Sequence, residues 1–153
     1  MASWAVMGAI LFDSSIYISA FRRGSDAIPV LESLARDRPL WLSSVVLEEL
    51  YAGASEKDRH VIERLEGDFV KAKRVLVPNL SDWTQTGRLL ARLAAKYGFE
   101  QIGRGRLTND ALIALSAGRL GIAVITANKR DFGRLAEFHP FQWQVSNIWK
   151  TIN

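Results

Sequence analysis

Residues 108–126 read Thr-Asn-Asp-Ala-Leu-Ile-Ala-Leu-Ser-Ala-Gly-Arg-Leu-Gly-Ile-Ala-Val-Ile-Thr, and the two halves of this stretch carry different periods. In the first half Asp110, Ile113, Ala114 and Ala117 share one side at helical spacing, which predicts a helix over 108–119 with Thr108 as its cap. Gly121 then breaks the chain, and 122–126 is a β-rich apolar run. Such a helix is about 18 Å long at 1.5 Å per residue, and the strand must run back beside it. That return brings Thr126, Asn128 and Asp131 next to Asp110.

The same alternation extends outward in both directions. Upstream, 9–12 reads as a strand, followed by a helix to residue 21 that Ser14 can cap, a break at Arg22-Arg23-Gly24-Ser25, and a helix over 26–36. A short strand at 40–42 leads into a helix starting at Ser43-Ser44. Over 56–74 about every second residue is charged, yet Ile62, Leu65 and Phe69 keep a narrow apolar stripe, the pattern of surface helices. A strand at 75–77 ends at Pro78, a long helix covers 81–97, and 98–106 is a glycine-rich loop. Downstream come a short helix after Asn128 and a last strand near 141–145. Strands alternating with helices predict an α/β/α sandwich: one domain over 1–153, with a mostly parallel sheet covered on both faces and joined by right-handed crossovers.

Composition narrows the chemistry. With no Cys, only His60 and His139, and no glycine-rich phosphate loop, the chain has no disulfide framework and no thiolate site for zinc or redox work. The apolar opening over 4–12 lacks a basic leader and is about half the ~20 residues a membrane span needs, so it reads as a buried strand of a soluble, cytoplasmic protein. Twenty basic residues against 16 acidic ones give a net charge of +4, and several of the acids gather in one place. A basic surface around an acidic hollow suits a polyanionic substrate.

Those acids are Asp13 at the end of the first strand, Glu49 and Asp110 on helices, and Asp131 beyond the run 122–126. In open parallel sheets, ligands bind beyond the carboxyl ends of the strands, where such residues meet. Asp13 and Asp110 alone could serve as helix caps or first-turn acids. Within Ser43–Gly53 the two glutamates point about 100° apart, and Glu49 shares the stripe of Val45, Val46, Ala52 and Gly53, whereas Glu48 aligns with Ser44 and Ser55. Glu49 is therefore the inward acid, costly to bury unless it binds a positive charge. Crowded carboxylates repel until a cation joins them, and an all-oxygen donor set points to Mg²⁺ or Mn²⁺.

Four stretches in register resemble the PIN-domain ribonucleases, specifically the VapC-type toxins of toxin–antitoxin pairs. They are Phe12-Asp13-Ser14-Ser15, Ser44 to Gly53, Asn109-Asp110-Ala111-Leu112-Ile113-Ala114, and Val124 to Phe132, and the resemblance covers roughly residues 9 to 145. It implies a Mg²⁺- or Mn²⁺-dependent endoribonuclease, often a homodimer, silenced by a small antitoxin that itself binds operator DNA. The family's second motif places its acid just before Leu or Ile and four before Gly, which also selects Glu49. In the last motif this chain has Asn128 two after Thr126 and Asp131 three later, so Asp131 is the expected fourth acid, with Ser14, Thr126 and Asn128 in support. Asn128 then caps a short helix or positions a water.

A non-catalytic PIN-like module that binds RNA or protein is the main rival. A phosphoacceptor receiver domain would need paired acids after its first strand, and a haloacid-dehalogenase-like phosphatase a second Asp where Ser15 sits. Arg88, Arg92 and Lys96, one turn apart, could track a phosphate backbone, with Arg104 and Arg106 nearer the pocket, or they could form a solvated face. Trp41, Trp83, Trp143 and Trp149 read first as core or dimer packing and second as stacking platforms for bases.

Overall fold

The structure, a computed structural model, describes residues 8–24, 26–99, 106–146 and 148. Five short strands, β1 (Ile10–Phe12), β2 (Leu40–Ser43), β3 (Val75–Leu76), β4 (Ala123–Thr126) and β5 (Trp143–Val145), form a sheet of order β3-β2-β1-β4-β5. Every pair is parallel, so the sheet is more regular than the mostly parallel one expected. β1 and β4 are buried along their whole length, which explains why both read as unbroken apolar runs: helices cover each face.

Two helices connect β1 to β2, α1 (Ser14–Arg23) and α2 (Ala27–Leu34), and two more connect β2 to β3, α3 (Ser44–Gly53) and α4 (Glu56–Lys71). The chain then returns across the sheet through α5 (Leu80–Tyr97) and α6 (Arg106–Arg119) to β4, and α7 (Lys129–Phe138) leads to β5. Right-handed crossovers in these opposite directions put α1–α4 on one face and α5–α7 on the other. Among the described residues no helix is long and apolar enough to cross a membrane. The start of the run 4–12, residues 147 and 149–153, and most of the loop 98–106 lie outside the described residues.

Three local expectations shift. Asp13, not Ser14, caps α1, its side chain accepting from the Ser15 amide. α6 begins at Arg106, so Thr108 lies inside the helix and caps nothing. α4 stops at Lys71 instead of running to Arg74, because Lys73 takes the left-handed φ of 58° and the Arg74 amide turns back to the Phe69 carbonyl at 3.0 Å.

On the α5–α7 face, two polar fasteners hold the helices together. Asn79 and Asp82 form a reciprocal cap at the start of α5, and the buried Asp82 carboxylate also takes two hydrogen bonds at its Oδ2 from Arg119 at the end of α6, at 3.1 and 2.9 Å. At the other end of α5, Lys96 pairs with Glu137 of α7 at 2.8 Å, Tyr97 donates to the same carboxylate, and Arg92 lies 4.9 Å from the centre of the Phe138 ring. Replacing Asp82 by Ala removes cap and ion pair together and should cost about 2–3 kcal/mol, a fall in Tm of roughly 5–10 °C. Asn79→Ala, which removes only the cap, should cost about 1 kcal/mol. Thermal unfolding of the two variants checks both values.

Candidate active site

From β1 the chain departs to one side of the sheet and it later returns to β4 on the other, so the carboxyl ends of these two strands border a crevice. Asp13 follows β1 and Thr126 closes β4. The Asp13 amide donates to the Ile125 carbonyl at 3.0 Å, and Thr126 Oγ1 donates to Asp13 Oδ2 at 2.7 Å. Oδ1 accepts from the Ser15 amide at 3.0 Å and from the Ser15 hydroxyl, whose oxygen in turn accepts from the Ala127 amide at 3.1 Å. Asp13 is only 2% exposed. Burial pushes its carboxyl above the usual range, and the bonds from Ser15 and Thr126 pull it part of the way back.

Glu49 reaches the same crevice from α3, a helix started by the Ser43 side chain. It is half-buried while Glu48 is exposed, the division the helical wheel implies. Its Oε1 is buried with no hydrogen-bond partner among the described residues. Burial raises its carboxyl above the ordinary value; a hydrogen bond with Ser14 opposes the rise, the charges of Glu48 and Asp13 add to it, and Asn109 opposes it. Asp110 sits in the second turn of α6, 5% exposed between the fully buried Ala111 and the helix start. It is past the first turn, and the helix dipole therefore does not account for it.

Asp131 is engaged differently. Its amide donates to Asn128 Oδ1 at 3.2 Å and its Oδ2 accepts from Asn128 Nδ2 at 2.9 Å, a reciprocal cap that starts α7. The Asn128 amide donates to Thr126 Oγ1 at 2.9 Å, so hydrogen bonds run from Asp131 through Asn128 and Thr126 to Asp13. Asn128 is thus the cap, one of the two roles the sequence leaves open for it.

Two contributors escape sequence reasoning. Ser15 ties Asp13 to the β4–α7 turn, and Asn109 Nδ2 donates to Glu48 Oε2 at 3.3 Å beside Glu49. The only signals were their places beside Asp13 and Asp110. The basic row of α5 is partly spent on packing, Lys96 on Glu137 and Arg92 on Phe138, and only Arg88 of the three has neither bond. Arg104 and the Arg106 side chain lie outside the described residues. Trp41 and Trp143 pack against the core, and Trp149 lies outside the described residues.

The donor chemistry fits a hard divalent cation: carboxylate oxygens throughout, one of them, Glu49 Oε1, buried and unpartnered. As the side chains stand, no three acidic or histidine groups among the described residues are spaced as a closed ligand set. Mg²⁺ tolerates that, since it keeps several waters and takes one or two carboxylates together with substrate phosphates.

Residues 10–138 match the sequence profile of the PIN domain family. The chain belongs to the PIN domain family. Its sandwich is similar to that of DNA-bound VapBC from Salmonella typhimurium, with a TM-score of 0.63, 26% identity, and 91% of this chain and 98% of that chain covered. VapBC-1 from nontypeable Haemophilus influenzae is similar at a TM-score of 0.59 and 26% identity, over 90% and 97% of the two chains. VapBC2 from Rickettsia felis bound to a promoter DNA fragment shares the fold at a TM-score of 0.62 and 23% identity, over 91% and 99%. No curated protein sequence matches the chain.

The electrostatics of this PIN domain make a signed prediction. Glu49 has a folded-state pKa raised above its ordinary 4.5, so its contribution to stability is fully present below that value and is lost as pH rises through the raised one. Without added metal, Glu49→Gln should match the parent at the acid end and gain on it progressively as pH rises above about 4.5. Thermal melts in EDTA at several pH values show it; a constant difference would mean Glu49 feels no such burial.

Proposed function

We propose that this PIN domain is a Mg²⁺- or Mn²⁺-dependent endoribonuclease, the toxin of a VapBC-type toxin–antitoxin pair, that hydrolyses structured RNA such as tRNA or rRNA in the cytoplasm. The observation that carries the reading is Asp13, 2% exposed at the carboxyl end of β1, with Glu49 close enough to feel its charge and Glu49 Oε1 unpartnered; Asp110, also buried, is assigned to the same site as part of the proposal. Acids withdrawn from water cost stability unless a positive charge joins them, and that makes them good cation ligands. The similarity to VapBC proteins supports an antitoxin as partner; a homodimeric toxin, and DNA reached only through the antitoxin, belong to the proposal.

Asp13, Glu49 and Asp110 would hold the cation, and Asp131 would act on it through a water or through the Asn128–Thr126 link to Asp13. A bound Mg²⁺ or Mn²⁺ supplies charge neutralisation, a polarised phosphodiester and a more acidic water. Thr126 and Ser15 fix the Asp13 carboxylate, and the Glu49 oxygen not engaged by the cation would accept the proton of the attacking water. Water oxygen bonds to phosphorus as the bond to the 3′-oxygen breaks, and that oxygen takes a proton. The proposed site contains no histidine to serve a 2′-hydroxyl, and the expected products are 5′-phosphate and 3′-hydroxyl ends.

Incubating the protein with tRNA and rRNA and analysing the ends tests this. Cleavage should require added Mg²⁺ or Mn²⁺ and fall by far more than tenfold in Asp110→Asn, with circular dichroism unchanged. Full cleavage in excess EDTA, or 2′,3′-cyclic phosphate ends, contradicts the reading; RNA binding with no cleavage in either metal favours a binding module. A separate measurement needs no substrate. At about 100 times its Kd, an ion bound only by the folded state adds ~2.7 kcal/mol, roughly 5–10 °C in Tm for a domain of this size. The rise should shrink in Asp13→Asn and, by less, in Asp131→Asn; a wild-type rise in Asp131→Asn would confine that residue to capping.

A further inference from the structure

Trp83 stands apart from the other described tryptophans: it is 55% exposed on the first turn of α5, whereas Trp41 and Trp143 are packed on the core. Its indole forms one wall of a 350 Å³ pocket between α3, α6 and the β3–α5 corner. Val77 and Pro78 continue that apolar wall. The same pocket is lined by two hydrogen-bonding side chains, Glu48 and Asn109, with Asn109 Nδ2 donating to Glu48 Oε2 at 3.3 Å. Glu48 and Asn109 immediately precede Glu49 and Asp110 in the chain, so the pocket and the acidic crevice share these two segments of α3 and α6.

The volume lies at the lower end of the ~300–1,000 Å³ typical of small-ligand pockets. The apolar wall is also held in place. Arg119 grips Asp82 and reaches the Val77 carbonyl at 3.5 Å, and the Asn79–Asp82 cap fixes the turn on which Trp83 is mounted. An exposed aromatic on a braced corner, lining one pocket with hydrogen-bonding groups, offers what single-stranded nucleic acids use: a π-face to stack on and an edge to read.

We propose that this pocket is a nucleobase subsite for a nucleotide flanking the scissile phosphate, with Trp83 stacking the base and Glu48 and Asn109 reading its edge. Its place beside a cut phosphate rests on the ribonuclease reading above. Glu48 is an acceptor at both oxygens, and guanine alone among the four bases presents two adjacent donors, N1–H and the 2-amino group, to such a fork. Uracil presents one donor between two carbonyl oxygens that a carboxylate repels. Guanine is the base the pocket selects.

The test has a cleavage arm and a binding arm. In the first, RNA ends are mapped on a substrate pool randomised around the cut for the parent, Glu48→Gln and Trp83→Ala. The parent should show guanine at one fixed position beside the cut; Glu48→Gln should weaken that preference roughly five- to hundredfold, and Trp83→Ala should raise KM by a similar factor with a smaller change in kcat. In the second arm, guanosine and uridine 5′-monophosphate are titrated against tryptophan fluorescence in the full chain carrying Asp110→Asn, with Trp83→Phe as the control. Guanosine monophosphate should quench more than uridine monophosphate, and the difference should vanish with Trp83→Phe.

Outcomes separate the two ideas. Selective quenching in a protein that cuts no RNA leaves the subsite standing and removes the nuclease. Cleavage with the same base preference in all three proteins, and no selective quenching, overturns the subsite and leaves the nuclease. Conversion of a dimer to a monomer by Trp83→Ala with base preference intact also overturns it, because the patch is then a contact between copies of the chain.

Discussion

The hydrogen bond from Thr126 to Asp13 is the constraint around which the rest is arranged. It joins the residue after β1 to the last residue of β4, at the point where the chain's connections leave the sheet in opposite directions. A carboxylate 2% exposed needs donors on both oxygens, and it has them: Ser15 on one and Thr126 on the other. Those donors in turn fix the β4–α7 turn, through Ser15 to Ala127 and through Thr126 to Asn128. The crevice is thus held by a polar lattice set at the ends of two buried strands that are otherwise apolar.

The sandwich was legible because each signal had one cheap reading. The run 122–126 cannot face water on either side, and Leu89, Leu93 and Ala94 can share a surface only on a helix. Cap assignments were harder. Asp13 and Ser14 are both good caps, and what separates them is a partner 113 residues away, Thr126, invisible to any local window. Thr108 looked like a start because nothing in the glycine-rich stretch before it demands a helix, yet α6 begins at Arg106.

Among the site residues, Glu49 was readable because one of two adjacent acids had to face inward and the wheel chose it. Asp110 gained from the misplaced start: a helix beginning earlier puts it past the dipole's reach and leaves burial against the core as the fact to be explained. Asn109 and Ser15 were not readable, since their work lies in side-chain bonds across elements. Nor was the fate of Lys96 and Arg92, whose aromatic and acidic partners sit on α7, about forty residues on. A basic helix face looks the same in sequence whether its charges await a phosphate or are already matched.

The 113-residue span between Asp13 and Thr126 also bears on how the molecule comes into being. A ribosome adding 5–20 residues per second needs roughly 6–23 s to travel from one to the other. During that time α1 to α4 can form and pack, but β1 has only one of its two neighbours, and Asp13 lacks the donor that lets it be buried. Long-range parallel pairing is slow to form, and here the β1–β4 pair must wait until residue 126 is made. Whatever chemistry the crevice performs therefore begins only when β4 has been made and slides in beside β1.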